Sequence, residues 1–463
     1  MLKKILSSFL LFVGALALPS AAFASGGHAE TAQSASLAFT FPQVVALTIF
    51  VAGYIAITLE HKFGTNKSAI ALLLAGVLWL VAAFSGIEHH VLEEIIHESG
   101  AEIFEIIVFL LAAMSLVEIL VHYRLFDIIR LRLMKMKLTD KPQFVIIALL
   151  TFFLSAALDN LTITIVMIQI ARRFFKDKNL LIASAGIVIM ANAGGAWSPI
   201  GDVTTIMIWL AGKFSASEII SQGVLPSMAL ATVSTYLLRR KMDDDTTDTI
   251  EEKRIELTRG EKLIMATTLV SFTLPVIMHS FGLRPYMGLL LGLGLVWAEI
   301  EFIKTRSAKE THLEANIEQL LQKADISSLK FFIGILLSVS ALKAIGLLNF
   351  FSHLVFGAHQ EFARVAIANV FIGLMSAIVD NVPLTALSID VISIQDPHIW
   401  VLLALAVGTG GSFLVIGSVA GIIAMGMVKG LTFDKYLKIA SIPALVGYIA
   451  AMSVWFLQYQ IIK

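Results

Sequence analysis

The ten residues SAALDNLTIT, Ser155 to Thr164, return 221 positions later as SAIVDNVPLT, Ser376 to Thr385. The two stretches agree at Ser, Ala, Asp, Asn and Thr, and each lies between long apolar runs. A carboxylate in such surroundings is expensive, so an acid that recurs there reads as functional. Asp159, Asn160, Thr162 and Thr164, with Asp380, Asn381 and Thr385, offer carboxylate, carbonyl and hydroxyl oxygens. Hard cations prefer that donor set. An organic anion would call for Arg, Lys or hydroxyl-rich helix N-termini, and neither stretch holds a basic residue. A desolvated carboxylate gains proton affinity and a bound cation lowers it, so cation and proton compete for one group. The plainer alternative is that the two aspartates only cap short helices or satisfy backbone amides.

A second pair of motifs follows each of these. ANAGGAWSPIGDVTT spans residues 191–205 and GTGGSFLVIGSVAG spans 408–421. Aligned from the double glycine, Gly194, Gly195, Ile200, Gly201 and Val203 match Gly410, Gly411, Ile416, Gly417 and Val419. Glycine and Pro199 end a helix and free backbone carbonyls, while the half-helix that restarts offers its amide N–H groups. Unwound carbonyls of this kind coordinate small cations in transporters. Asn192, Ser198, Asp202 and Thr204 add polar oxygens to the first break, and Ser412 adds one to the second. Close helix packing is the alternative use of such glycines. A duplicated break behind a duplicated Asp-Asn pair favours a binding site.

The elements that position these motifs are membrane helices. Of 463 residues, 57% are hydrophobic and 15% charged, against about 25% charged in soluble domains. Net charge is zero, which removes a nucleic-acid reading, and no cysteine is available for disulfides or thiolate metal sites. Apolar segments long enough to span a bilayer recur from residue 41 to 459. Before them, Lys3 and Lys4 precede an apolar run, and AFA at 22–24 fits a signal-peptide cleavage site, so residues 1–24 are expected to be removed.

Charge in the short loops sets the sides. The loop 87–102 has five Glu and no Lys or Arg, so it faces outward, whereas 122–142 is strongly basic and faces inward. The segment 143–171 is flanked by basic residues at both ends, as RRFFKDK follows it at 172–178. A re-entrant hairpin turning near Asp159-Asn160 resolves this, since irregular backbone survives at membrane depth when buried in protein. The second copy, 362–393, has flanks without Lys or Arg and would enter from the other side. The expected fold is therefore all-α, with about ten crossings and two hairpins. It forms two inverted repeats, 41–238 and 263–459, joined by a cytoplasmic linker at 239–262. Secondary transporters use this architecture, with the site where the repeats meet.

Three outlying groups stand apart from the motifs. Glu118, near the cytoplasmic end of segment 103–121, is either a proton-path residue or an interfacial anchor. Lys343 either snorkels to the surface or serves the site as a counter-ion. His89, Glu93 and His97 share one helical face in the outer loop, as a metal site, a pH sensor or a solvated interfacial helix would have them.

FFLSAALDNLTITIVM (152–167), ANAGGAWSPIGDVTT and FLLAAMSLVEIL (109–120) closely resemble the NhaD-type sodium/proton antiporters of the ion-transporter superfamily, over about residues 41–459. The resemblance implies exchange of Na⁺ or Li⁺ for H⁺ across a bacterial inner membrane, with no cofactor. It also implies a homodimer within the lipid bilayer, built from a scaffold domain and a moving transport domain that carries the hairpins. Other branches carry dicarboxylates and have Ser-Asn-Thr at the hairpin tips, where this chain has Leu-Asp-Asn and Val-Asp-Asn. Pro383 stands where the first copy has Thr162, so the two sides need not be equivalent. A sodium-coupled anion symporter on the same fold and an ion channel are the rival readings. HExxH, GxSxG and a P-loop are absent, which argues against an enzyme.

Overall fold

The computed structural model describes residues 40–58, 65–244, 256–306, 325–356, 360–415 and 417–462. The expected signal peptide, the middle of the 239–262 linker and Ile416 lie outside the described residues. Among the described residues the chain is helical throughout, with no strand.

The opening helices are α1 (Phe41–Thr58), α2 (Lys67–Ala83), α3 (His89–His122) and α4 (Leu125–Lys135). The first Asp-Asn motif separates α5 (Asp140–Ala157) from α6 (Asn160–Phe174), and the first glycine break separates α7 (Asp177–Gly195) from α8 (Val203–Leu210). Next come α9 (Ala216–Lys241), α10 (Arg259–Ser271), α11 (Leu274–Ser280), α12 (Pro285–Arg306), α13 (Ile326–Ala344) and α14 (Leu347–Phe356). The second motif separates α15 (Phe362–Met375) from α16 (Asn381–Val391), and the second break separates α17 (Pro397–Gly410) from α18 (Val419–Met427). A short helix α19 (Phe433–Tyr436) runs through a π turn into α20 (Ile442–Ile462).

Five helices among the described residues are long and apolar enough to cross a bilayer, or six if α10 and α11, bent by 41°, form one span. The ten crossings expected from apolar segments are thus not ten uninterrupted helices. Breaks at Asp-Asn, Gly-Gly and Pro divide several segments into pieces such as Phe362–Met375 and Pro397–Gly410, each below spanning length. The outer loop 87–102 also differs: its residues from His89 onward are the first turns of the 34-residue α3.

Short polar residues start each helix that follows an interruption. Asp159 caps α6 by accepting the Thr162 amide at 2.8 Å, and Asp380 caps α16 through the Val382 amide at 3.5 Å. Asp202 precedes α8, and Ser418 caps α18 through the Gly421 amide at 3.2 Å. Such caps satisfy amides that the first helical turn leaves without a partner.

The packing has corresponding contacts at both copies. Helix α5 lies on α7 and α15 on α17, while α8 lies on α16 and α18 on α6. Glycine makes the closest of these approaches. A Cβ on Gly194 would collide with the carbonyl of Phe152, and one on Gly410 with the carbonyl of Gly373. One on Gly201 would lie 2.6 Å from the Ser155 carbonyl, and one on Gly417 lies as close to that of Ala377. These neighbours are backbone, which cannot swing aside as a side-chain tip can.

Gly201→Ala should therefore lose about 1–3 kcal/mol by overpacking. A Cβ at Gly76, inside α2, meets open space, so Gly76→Ala should be neutral or stabilising by up to about 1 kcal/mol. Unfolding temperatures of the two variants in one detergent measure this, and equal values would refute the packing argument.

Candidate ion-binding site

The two motif copies and the two breaks meet at one carboxylate. Asp202 is 2% exposed, at the start of α8. The amide of Asn160, at the head of α6, donates to Asp202 Oδ1 at 3.0 Å. The amide of Asn381, at the head of α16, donates to Asp202 Oδ2 at 3.2 Å. Two asparagines far apart in the chain thus hold opposite oxygens of a single acid.

The network continues through Asn192 in the last turn of α7. Its Oδ1 accepts from the Asn160 amide at 3.2 Å, and its own amide donates to Ser412 Oγ at 2.9 Å and Ser418 Oγ at 3.2 Å. A chain of short polar groups therefore runs from the second break to the first break and on to both motif tips. Every bond named in it is made by an amide, a hydroxyl or a carboxylate. Burying a carboxylate costs far more than burying a neutral polar group unless a positive charge or a proton compensates it. The neutral amides orient Asp202 and supply no compensating positive charge.

The expected ligands do not all behave alike. Asp159 and Asp380 each cap their own helix. Asp159 Oδ2 is buried and takes no hydrogen bond among the described residues. Such an orphaned acceptor is where a bound ion or water is to be sought. Thr164 and Thr385 turn their hydroxyls back onto the carbonyls of Asn160 and Asn381, at 2.7 and 2.8 Å, and so stiffen the two tips. Thr162 contributes its backbone amide to Asp159. Ser198 and Thr204 are buried beside Asp202 in the chain, and Gly194, Gly195, Gly410 and Gly411 provide close backbone approach. Glu118 is half-buried on α3.

One residue, Ser418, joined the network unannounced. Ser418 stands opposite Asp202 when the breaks are aligned from their double glycines, which was the available signal. Ser376 begins the second motif and is fully buried, and its Oγ has no hydrogen-bond partner among the described residues. Its counterpart Ser155 donates to the Ala191 carbonyl at 2.6 Å. The alignment also pairs Asn192 with Gly408, so the two breaks are chemically unequal. A Cβ on Gly408 would come within 3.3 Å of Asp202 Oδ2. The second break thus leaves room where the first supplies an amide.

The outlying groups go elsewhere. Lys343 pairs with Asp390 on α16 at 3.0 Å and Glu98 on α3 at 3.8 Å, which ties α13 to both. Glu105 pairs with Arg284 at 3.2 Å. His89, Glu93 and His97 are exposed on α3, and no trio of His, Asp and Glu gathers as a metal cluster among the described residues.

Comparison with known proteins now adds a family. Residues 54–408 match the family described as citrate transporters. Sodium/proton antiporter 1 of Arabidopsis thaliana is 36% identical over 425 residues, covering 89% of this chain and 72% of that protein. Sodium/proton antiporter 2 of the same plant is 35% identical, covering 87% of this chain and 97% of the relative. The Na⁺/H⁺ antiporter NhaD of Vibrio cholerae is 30% identical over 455 residues, covering 92% and 94%.

Removing the Asn381 amide leaves Asp202 Oδ2 short of a donor, at a cost of about 1–3 kcal/mol. In a double-mutant cycle, Asn381→Ala should cost at least half as much again in the parent as in an Asp202→Ala background, measured by unfolding in detergent. Strictly additive costs would mean that the two side chains do not interact.

Proposed function

The chain belongs to the citrate-transporter family and, within it, to the NhaD-type sodium/proton antiporters, and from that membership we propose that it exchanges Na⁺ or Li⁺ for H⁺ at Asp202 and the two Asp-Asn tips. One observation carries the reading: Asn160 and Asn381, from the two motif copies, donate to opposite oxygens of the same buried carboxylate. Sodium and a proton are alternative occupants of such a group, because each supplies the missing positive charge. When the cation enters, Asp202, Asp159 Oδ2 and Asp380 are the charged oxygens within the motifs, and Ser376, Ser412 and Ser418 offer neutral ones. When the cation leaves, a proton takes its place on Asp202.

The corresponding contacts of α5 with α7 and α15 with α17, and the crossed contacts of α8 with α16 and α18 with α6, support two inverted repeats. On this reading α5–α6 and α15–α16 are re-entrant hairpins entering from opposite sides. Their tips, with the two breaks, belong to a moving domain, and the protein works as a homodimer in the bacterial inner membrane after removal of residues 1–24. The repeats span 41–238 and 263–459 with a cytoplasmic linker between them. Transport consumes the ion gradient alone, with no cofactor and no covalent chemistry.

The family's description as citrate transporters gives the rival reading a concrete form, uptake of an organic acid coupled to sodium. The bonds around Asp202 favour the cation, since an entering carboxylate would face a buried acid of its own sign.

The test is proton movement in inverted membrane vesicles on adding NaCl, LiCl or KCl. Sodium or lithium should collapse the pH gradient, and Asp202→Asn should reduce the initial rate roughly tenfold or more, with Asp159→Asn and Asp380→Asn also impaired. No response to any cation across the neutral-to-alkaline range would refute exchange. Sodium-dependent citrate uptake would then establish the rival.

A further inference from the structure

We propose that Tyr54 is a positioning residue for the second half of the ion site, acting through the backbone of Asp380; this rests on the exchange reading given above. Tyr54 lies on α1, and its hydroxyl oxygen accepts the backbone N–H of Asp380 at 2.8 Å across 326 residues of chain. That amide belongs to the cap of α16. The next residue is Asn381, whose side chain donates to Asp202 Oδ2. A fixed point one residue away restricts the angles from which the Asn381 amide reaches the carboxylate.

The fixed point is itself braced. Helix α1 is held by Gln43, whose amide donates to the Ile345 carbonyl at 3.2 Å. Helix α2 is held on α13 by Ser68, which donates to the Ser327 carbonyl at 2.7 Å, and by Trp79, which donates to that of Leu337 at 3.0 Å. Close contact reinforces this: a Cβ on Gly334 of α13 would sit 2.5 Å from the Ala71 carbonyl carbon on α2. Phe50, one turn before Tyr54, packs its ring on the phenol with centroids 6.1 Å apart. The hydroxyl is therefore presented by a block of three mutually fastened helices, and the motif tip rests against it.

The first motif copy is built differently. The opening segment of the second repeat, residues 263–280, contains no tyrosine to play the same part for the first motif. The consequence is an unequal site: Asn381 is placed from outside its own motif, by a neighbouring block of helices. Loss of the hydroxyl should weaken cation binding and spare the rate of turnover once the site is filled. A residue that merely supported the fold would change protein yield or maximal rate instead.

The experiment compares Tyr54→Phe, which removes the hydroxyl and keeps the ring, with Phe50→Leu, which disturbs the ring contact alone. Two readouts are taken on purified protein: stabilisation against heating as a function of NaCl concentration, and the KM and maximal rate of sodium-driven proton movement after reconstitution. The expected result is a roughly three- to tenfold rise in half-saturating Na⁺ for Tyr54→Phe in both assays, the size of one neutral hydrogen bond, with maximal rate within about twofold of the parent. Phe50→Leu, which loosens the brace and keeps the hydroxyl, should raise half-saturating Na⁺ by less than Tyr54→Phe does. Unchanged half-saturation in Tyr54→Phe would overturn the inference, and so would a fall in maximal rate alone. If the parent protein responds to sodium in neither assay, the exchange reading fails instead, which separates the two.

Discussion

One buried carboxylate held between two asparagine amides organises the centre of this protein. Asp202 accepts Asn160 on one oxygen and Asn381 on the other, so neither motif can shift without changing the environment of a charge. In a low-dielectric interior that environment is costly to leave incomplete, because the alternative to a protein donor is an unsatisfied acceptor rather than water. The arrangement ties the position of two distant helix starts to the occupancy of one acid.

Backbone contacts make the shared group reachable. The interrupted helices approach the motif helices so closely at Gly194, Gly201, Gly410 and Gly417 that carbonyl oxygens occupy the space of a Cβ. Packing of this sort trades side-chain bulk for proximity, and in a bilayer small residues are what allow helices to close on one another.

The site is duplicated in plan and unequal in chemistry. Asp202 corresponds to Ser418 and Asn192 to Gly408, so the first break supplies the charge and an amide while the second supplies a hydroxyl and room. Asn192 bridges this difference by donating to both Ser412 and Ser418.

By itself the sequence determined the class of protein, the two Asp-Asn motifs, the two glycine breaks and the oxygen-donor character of the residues in them. Those properties are local: apolar run length, residue type and spacing carry them, and a motif that recurs with the same neighbours announces itself. The tertiary structure alone decided which members of each pair converge. From sequence, Asp159 and Asp380 were expected at the site beside Asp202, with helix capping as the plainer alternative, and each does cap its own helix, as an acid preceding a helix tends to do. The adjacent asparagines, one position further on, are the ones that point at Asp202. A rotation of one residue along a helix start separates those outcomes, and only packing against distant helices fixes it. The same holds for Tyr54, whose partner lies in a remote part of the chain, and for Asp202 itself, whose rank among three candidate acids came from the two amides aimed at it.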